Sequence, residues 1–259
     1  MNKLVIHPKF SSHSDAIEKA ICNFNSSGTT VLKGERNTIK SLKIDGLNLN
    51  IKQFKTPSLF NAIVYKYIRK SKARRSYEYA NVLIQKTILT PSPIAYFETT
   101  SWLGLKQSYY ISNHVDYDLD FRVLIHDLNY PDRNEILKQF SEFTFKLHEN
   151  DVNFLDHSPG NTLIIKMDAE HYNFYLIDLN RMRFESLNFK KRMYNFRRLW
   201  LSKSMIKIMS TEYAFLCAPN TPSKKTYELM LKYSRHFQKK INSKKLRRSG
   251  RKIVFKRIN

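Results

Sequence analysis

The chain has 259 residues, 42% of them hydrophobic and 13% aromatic, which is enough to bury a core in one large domain or two small lobes. Its two cysteines exclude a disulfide framework, and no stretch reaches the ~18 apolar residues of a membrane span, so we expect no transmembrane segment. Lys and Arg number 45 against 22 Asp and Glu, and this net charge of +23 indicates a polyanionic partner such as nucleic acid, anionic lipid or a phosphorylated glycan.

The positive charge is concentrated at the end of the chain. Residues 235–259 hold 11 Lys and Arg and no acid, and the remainder still carries +12. Such a tail gains ~1 kcal/mol per basic residue at an anionic membrane surface. It would also bind RNA without sequence specificity, or it could be an ordinary solvated segment.

The first half of the chain is rich in predicted strands. Short segments with alternating apolar residues are bounded by turn formers such as Asp45-Gly46, and the first three of them predict an antiparallel meander. The predicted elements are, in chain order, strands at 29–34, 39–44 and 47–54, one helix over 58–87, and strands at 91–98 and 106–115.

The second half is mainly helical in pattern. The segment 135–150 has Ile136, Phe140, Phe143 and Leu147 at helical spacing, which predicts a buried helix. Helical patterns also dominate from Phe189 onward. With a linker near 112–118, we predict a first lobe over 1–112 and a second over 113–259, together forming one domain.

The segment FLDHSPGNTLI, residues 154–164, combines polar turn residues with the start of a strand. Asp156 and Asn161 are five positions apart, and strands are predicted at 162–165 and 174–177. If these two strands form a hairpin, Asn161 at the start of the first lies beside Asp178 at the end of the second. Asp156, in the preceding loop, could reach the same point.

These three side chains suit phosphoryl transfer. Mg²⁺ prefers oxygen ligands and takes one or two from the protein, which Asn161 and Asp178 could supply. Asp156 could then orient and deprotonate an attacking hydroxyl group. We expect the neighbouring His157 to make a structural hydrogen bond, and His148 to cap or pack against its helix.

This pattern resembles the catalytic loop and metal-binding motif of protein-kinase-like phosphotransferases, in which an Asp precedes an Asn by five residues and an Asp-Phe-Gly follows. On that resemblance Asp156 is the base and Asn161 and Asp178 are the metal ligands. Lys52, in the strand NIKQF, then corresponds to the lysine that grips the phosphates of ATP, and Glu78 to its ion-pair partner on a helix.

More narrowly, IKQFK, SKARRSYEYANVL, LHENDV, LDHSPGNTLI and IDLNR together resemble the lipopolysaccharide core kinase family, the Kdo and heptose kinases. The resemblance implies an α+β, bilobal fold with a small antiparallel-sheet lobe carrying one key helix and a larger, mainly helical lobe. It implies ATP and Mg²⁺ as cofactors and Kdo-lipid A as the acceptor. The enzyme would be cytoplasmic and peripheral on the inner membrane of a Gram-negative bacterium, held there by its basic tail.

The chain departs from protein kinases in ways that bear on the acceptor. Phe154-Leu155 replaces His-Arg before the base, Asp178-Leu179-Asn180 replaces Asp-Phe-Gly, and neither a Gly-rich loop nor an Ala-Pro-Glu is present. With little platform for a peptide, we expect a small or membrane-displayed acceptor. The alternatives are a kinase acting on a protein or a small metabolite, and a noncatalytic basic adaptor for nucleic acid or membrane. Nucleic acid is not the partner that we favour.

Overall fold

A computed structural model of the chain describes residues 1–35, 37–217 and 221–258, without the side chains of residues 245 and 248–258. The chain divides into two compact units. The first consists of Met1–Asp116 and Tyr175–Asn180, and the second of Tyr117–Phe174 and Arg181–Asn259.

The first unit contains a six-stranded antiparallel sheet. Its strands are β1 (Asn2–Ile6), β2 (Thr29–Lys33), β3 (Asn37–Ile44), β4 (Leu47–Phe54), β5 (Pro93–Ser101) and β6 (Gly104–Asn113), in the spatial order β1-β5-β6-β4-β3-β2. The predicted meander is confirmed, since β3 pairs with both β2 and β4. At its second turn Asp45 and Gly46 have φ values of +52° and +74°, as a two-residue hairpin of type I′ requires. The edge strand β1 was not predicted.

Helices cover the two faces of this sheet. They are α1 (Ser14–Cys22), α2 (Leu59–Tyr67) and α3 (Lys72–Gln85). Ile17 of α1 packs with the buried Leu49 and Ile51, whereas Ala73 of α3 packs with Phe54. Side chains alternate along β4, so the even-numbered residues of that strand face α3.

The single helix predicted over 58–87 is wrong, because this segment forms α2 and α3 with a break between them. The side chain of Ser71 accepts a hydrogen bond from the backbone N–H of Arg74 at 3.0 Å and starts the second helix. The N-cap Ser71 was a visible signal, but the helical period of the apolar residues continues across it.

The second unit is mainly helical, as predicted. Its helices are α4 (Phe121–His126), α5 (Arg133–Glu149), α6 (Phe189–Asn195), α7 (Lys203–Leu216) and α8 (Ser223–Ile258). Its short strands are β7 (Leu119–Asp120), β8 (Val152–Phe154), β9 (Thr162–Lys166), β10 (Tyr172–Leu176) and β11 (Met182–Phe184), and the last residues of β10 belong to the first unit. They form a sheet in the order β10-β9-β7 and a separate pair, β11-β8.

The core of the second unit is built around α5. Ile136, Phe140 and Leu147 are fully buried, and Phe143 packs at the edge of the same cluster, which confirms the predicted buried helix. Met230 of α8 also lies in this core. In the part of the chain that the structure describes, no helix is long and apolar enough to cross a membrane. The basic tail, up to residue 258, is the later part of α8, and most of its last side chains lie outside the described residues.

Candidate active site

Lys52 is placed by the alternation of β4. Its neighbour Ile51 faces the α1 side of the sheet, so Lys52 faces the other side, where its Nζ lies 5.3 Å from the centre of the Phe54 ring. The Lys52 side chain is only 12% exposed, and Nζ donates a hydrogen bond to Oδ1 of Asp178 at 2.6 Å. The first unit therefore brings together the lysine and the aspartate that the sequence analysis singled out.

Asp178 sits in a sharp turn directly after β10. Its φ of +57° is a left-handed conformation that Asp adopts more readily than most residues with a Cβ. Asn180 Nδ2 donates to the same Oδ1 at 2.7 Å. Both hydrogen bonds are accepted by Oδ1. Among the described residues, none donates a hydrogen bond to Oδ2 of Asp178, so this oxygen could bind a cation. Upstream, Leu176 is held in the first unit by Thr90, whose Oγ1 donates to the Leu176 carbonyl at 2.8 Å.

The predicted ion pair between Lys52 and Glu78 is wrong. Glu78 instead accepts hydrogen bonds from Lys70 Nζ at 2.7 Å and from Arg74 Nε at 2.9 Å. Arg74 lies one helical turn before Glu78 on α3, and Lys70 lies just before that helix, so two cations reach the carboxylate locally. Partial burial raises the pKa of Glu78, but the hydrogen bonds from Lys70 and Arg74 outweigh it and hold the pKa below its usual value.

Arg75 connects α3 to the Asp178 turn. Its side chain is buried, its Nη1 donates to the carbonyl of Asn180 at 2.7 Å, and its Nε donates to the carbonyl of Lys70 at 3.2 Å. A buried guanidinium needs such acceptors. The sequence analysis did not identify this residue, because a contact between positions 75 and 180 depends on the fold and not on local spacing.

In the second unit, Asp156 and Asn161 form one compact loop. Asn161 lies in a short 3₁₀ turn, Pro159–Asn161, just before β9. Its Nδ2 donates to the backbone carbonyl of Asp156 at 2.8 Å, so its Oδ1 is directed away from that bond and can serve another partner. The five-residue spacing thus has a local structural basis.

The carboxylate of Asp156 lies among arginines. Arg198 Nη2 is 2.6 Å from Oδ1, and Arg181 Nη1 is 3.5 Å from Oδ2. Arg181 is positioned by the pairing of β8 with β11, since the Leu155 N–H donates to the Arg181 carbonyl at 3.0 Å. In the sequence Arg181 is visible only as the end of the IDLNR motif, and no local pattern points to Arg198.

A third arginine, Arg197, lies close to Arg181 and Arg198. Its guanidinium stacks on the ring of Tyr194 at 3.7 Å. Burial lowers the pKa of Arg197, and the positive charges of Arg198 and Arg181 lower it further, although Tyr194 and Asp156 oppose them. We call Arg181, Arg197 and Arg198 the arginine cluster. It holds three positive charges near one carboxylate.

His157 has the structural role that was expected. It is fully buried, and its Nδ1 lies 2.9 Å from Asn195 Oδ1, while Asn195 Nδ2 donates to the Phe154 carbonyl at 3.0 Å. Burial lowers the pKa of His157 to about 4, so the ring is neutral at pH 7. His148 likewise lies inside the unit, with Nδ1 at 2.7 Å from the hydroxyl of Tyr213.

The side chain of Arg122 packs against Gly160 in the same loop. A Cβ at this position would lie 1.8 Å from Nη2 of Arg122, so the guanidinium of Arg122 rests directly on the Gly160 backbone. Arg122 is held there by Asp120, whose Oδ2 accepts from Nη1 at 2.9 Å. A larger residue at position 160 would have to displace the exposed end of the Arg122 side chain.

Among the described residues, no cluster of three or more His, Cys, Asp or Glu side chains could hold a metal ion. Asp178 and Asn161 do offer one oxygen each that is not used in the contacts above. Each of these oxygens, taken within its own unit, is the kind of donor that Mg²⁺ prefers, and Mg²⁺ completes its coordination with water and substrate phosphates. The roles of Lys52, Asp178, Asn161 and Asp156 in catalysis remain predictions.

An antiparallel sheet whose lysine contacts the aspartate of a later turn, and a separate loop with an Asp five residues before an Asn, define a phosphotransferase of the protein-kinase-like fold. Residues 28–218 match the model of the lipopolysaccharide kinase (Kdo/WaaP) family. The chain belongs to this family, whose members transfer a phosphoryl group to a sugar hydroxyl.

A solved structure supports the same fold. The chain is similar to WaaP in a structure described as WaaP in complex with acyl carrier protein, with a TM-score of 0.63 and 16% sequence identity over 92% of this chain and 98% of that one. Identity at this level indicates a shared fold. A comparison with curated proteins gives no significant match.

Proposed function

We propose that this kinase transfers the γ-phosphoryl group of ATP to a hydroxyl of a Kdo or heptose unit in the inner core of lipopolysaccharide. The observation that carries the proposal is the family match, because residues 28–218 include all five predicted site residues. Those residues are Lys52, Glu78, Asp156, Asn161 and Asp178.

The proposed chemical roles are those that the family resemblance implies for the predicted site residues. Lys52, whose Nζ lies 2.6 Å from Asp178, would grip the ATP phosphates. Asp178 and Asn161 would hold Mg²⁺, which offsets phosphate charge when bound. Asp156 orients the acceptor hydroxyl and receives its proton as the oxygen attacks the γ-phosphorus and the bond to ADP breaks. Glu78 has no direct part in this scheme.

The arginine cluster favours Kdo over heptose as the acceptor. Arg198 and Arg181 both contact the Asp156 carboxylate, and Arg197 adds a third cation beside them. Three cations thus lie near the single carboxylate beside which the acceptor hydroxyl would bind. Kdo is a sugar acid, and its carboxylate would offset them, whereas an unmodified heptose is neutral.

We also propose that the reaction takes place at the cytoplasmic surface of the inner membrane of a Gram-negative bacterium. Kdo-lipid A is anchored in a bilayer, so the enzyme must reach a membrane-displayed sugar. Residues 235–259, with 11 Lys and Arg and no acid, would gain ~1 kcal/mol per basic residue close to anionic lipid.

Phosphate transfer from labelled ATP to purified Kdo-lipid A, with Mg²⁺, tests the proposal. The native chain should label the glycolipid, and Asp156→Ala should label it about 10²–10⁴-fold more slowly. Thermal stabilisation by ATP and Mg²⁺ is the companion measurement, since a ligand that binds only the folded state raises the melting temperature. Stabilisation without transfer would overturn the proposed acceptor, and the absence of both would overturn ATP-dependent catalysis by this chain.

A further inference from the structure

Helix α2 has its large apolar side chains on the outside. Leu59, Phe60, Tyr67 and Ile68, at its start and end, are 66%, 76%, 65% and 79% exposed, and Trp102 in the neighbouring β5–β6 turn is 81% exposed. Monomeric proteins rarely expose so many large apolar residues in one region unless the region binds something. We call these five residues the α2 surface.

The packing of α2 explains this inverted arrangement. Its buried residue is the small Ala62, 8% exposed, and a Cβ added to Gly104 would come within 2.5 Å of the Ala62 backbone. Gly104 also has a φ of +135°, which favours glycine. Two small residues therefore let the helix lie directly on the start of β6, and the large side chains at its two ends are left exposed.

Trp102 and α2 are joined into one surface by Lys66. Its Nζ donates to the carbonyl of Ser101 at 2.8 Å and lies 4.8 Å from the centre of the Tyr67 ring. Tyr67 also donates from its hydroxyl to the carbonyl of Trp102 at 3.4 Å. Lys66 and Tyr67 of the helix thus hold the backbone of the turn that carries Trp102.

The sequence that forms most of this surface is basic. Residues 55–77 contain seven Lys and Arg and no Asp or Glu. Next to the apolar residues, a cavity of about 400 Å³ has a basic lining interrupted by one acid, Glu98. The basic residues of the lining are Lys3, Lys66, Arg69, Lys70 and Arg74. A partner for this region must therefore be apolar where it meets α2 and anionic around it.

Exposed Trp, Tyr and Phe beside lysines, without acids, are typical of segments that lie in the interface of a bilayer. We propose that the α2 surface docks the enzyme on an anionic lipid bilayer, with the apolar residues at the acyl boundary and the basic cavity around a lipid phosphate. The choice of a bilayer over an acidic protein rests on the proposed function, because the acceptor is itself a membrane lipid. This contact is separate from the basic tail.

Binding of the full chain to lipid vesicles, measured without ATP or acceptor, tests the docking surface alone. Vesicles of phosphatidylethanolamine with phosphatidylglycerol should bind the native protein more tightly than vesicles of phosphatidylcholine. The double variant Phe60→Ser/Trp102→Ser should bind about 100-fold more weakly, since burying each large apolar side chain is worth roughly tenfold. Phe215→Ser, at an 83% exposed residue of α7, is the matched control and should bind like the native chain.

Two further measurements separate the possible failures. In a Trp200→Phe background, the fluorescence of Trp102 should shift to the blue on addition of anionic vesicles. The double variant should keep its melting temperature and its activity on a deacylated, water-soluble acceptor while losing activity on acceptor in vesicles. Unchanged vesicle binding by the double variant, or a Trp102 shift only with an acidic protein, would overturn the docking surface. If the native protein binds vesicles but phosphorylates neither acceptor, that result would instead count against the proposed function.

Discussion

At the scale of single residues, the first unit joins α3 to the Asp178 turn in an unexpected way. The sequence order of lysine, helix glutamate and aspartate predicts an ion pair between Lys52 and Glu78. In the structure Lys52 contacts Asp178, and Arg75 holds the turn through the carbonyl of Asn180 at 2.7 Å. Lys52 and Asp178 are in contact, but the side chain of α3 that reaches the turn is Arg75 and not Glu78.

Substitutions at Asp178 and at Glu78 should differ strongly in their effect on phosphoryl transfer. Asp178→Ala should abolish transfer because it removes the proposed metal ligand and the partner of Lys52, and Asp178→Asn, which tolerates the φ of +57°, should do the same in a fully folded protein. Glu78→Gln should reduce the turnover rate less than about threefold, since exposed ion pairs contribute little. Steady-state phosphorylation rates and circular dichroism provide the measurements. An active, folded Asp178→Asn enzyme would contradict the metal assignment.

Substitutions at Arg75 and at its neighbour Arg74 should differ in their effect on ATP affinity. Arg75→Met should lower the affinity for ATP at least tenfold, because the turn that carries Asp178 loses its anchor on α3, and it should cost about 1–3 kcal/mol of stability. Arg74→Met removes a guanidinium that pairs with Glu78 near the surface and serves as the matched control. Isothermal calorimetry with ATP and urea unfolding measure the two effects. Equal ATP affinities in the two variants would show that Arg75 positions nothing.

These residues mark the limit of what the sequence could predict about the site. Asp156, Asn161 and Asp178 could be predicted as site residues because their spacing is local, or is set by a single hairpin. Arg75 and Arg198 act through contacts between distant positions, and nothing in their immediate neighbours distinguishes them from solvated arginines. A buried arginine is recognisable only once the surrounding helix face is known.

At the scale of elements, the break between α2 and α3 decides which residues meet the sheet. If one helix ran from 58 to 87, its apolar stripe would continue through residues 68–71. With a new start at Ser71, Ala73 and Ala80 face the sheet, and Lys70 and Arg74 reach Glu78. The break also leaves α2 as a separate short helix with its own orientation.

Ser71 should therefore contribute to stability as an N-cap. Ser71→Ala removes the hydrogen bond to the Arg74 N–H and should lower the free energy of unfolding by about 1 kcal/mol. Ser58, at the N-cap of α2, makes no such bond to its helix, so Ser58→Ala should cost less than half as much. Urea denaturation of the two variants measures the difference. Equal losses would mean that Ser71 does not cap α3.

Element prediction succeeded where one periodic pattern coincided with one element. The strand 47–54 and the helix over 135–150 match β4 and α5, because alternation and helical spacing each identify a buried face. The first 22 residues were left unassigned, although they form β1 and α1, since β1 depends on pairing with β5 for its stability. An edge strand is specified more by its partner than by its own residues.

At the scale of the whole molecule, folding is coupled to pH through two buried histidines. Burial lowers the pKa of His148 to about 3 and that of His157 to about 4. In the unfolded chain both titrate near 6.5, so below that pH the unfolded state binds more protons than the folded state. The folded protein is therefore favoured above pH 6.5 and loses stability as the pH falls toward 4.

Urea unfolding at pH 7.5 and pH 5.0 tests this dependence. The free energy of unfolding should fall by about 2 kcal/mol for each buried histidine over this interval. His157→Asn should show a smaller fall than the native protein, whereas His126→Gln, at an exposed position on α4, should keep the native dependence. Identical slopes for the native protein and His157→Asn would contradict a neutral, buried His157.

The hydrogen bond from Arg75 to a main-chain carbonyl affects which positions can be substituted among members of this family. Every residue type at position 180 offers the same carbonyl, so a substitution there leaves the Arg75 anchor intact, whereas any substitution at position 75 removes it. Glu78, held only by two local cations, carries little comparable constraint. Homologues with this arrangement should therefore keep arginine at position 75 and vary at 78, so that the helix glutamate familiar from protein kinases becomes an unreliable marker of activity among them.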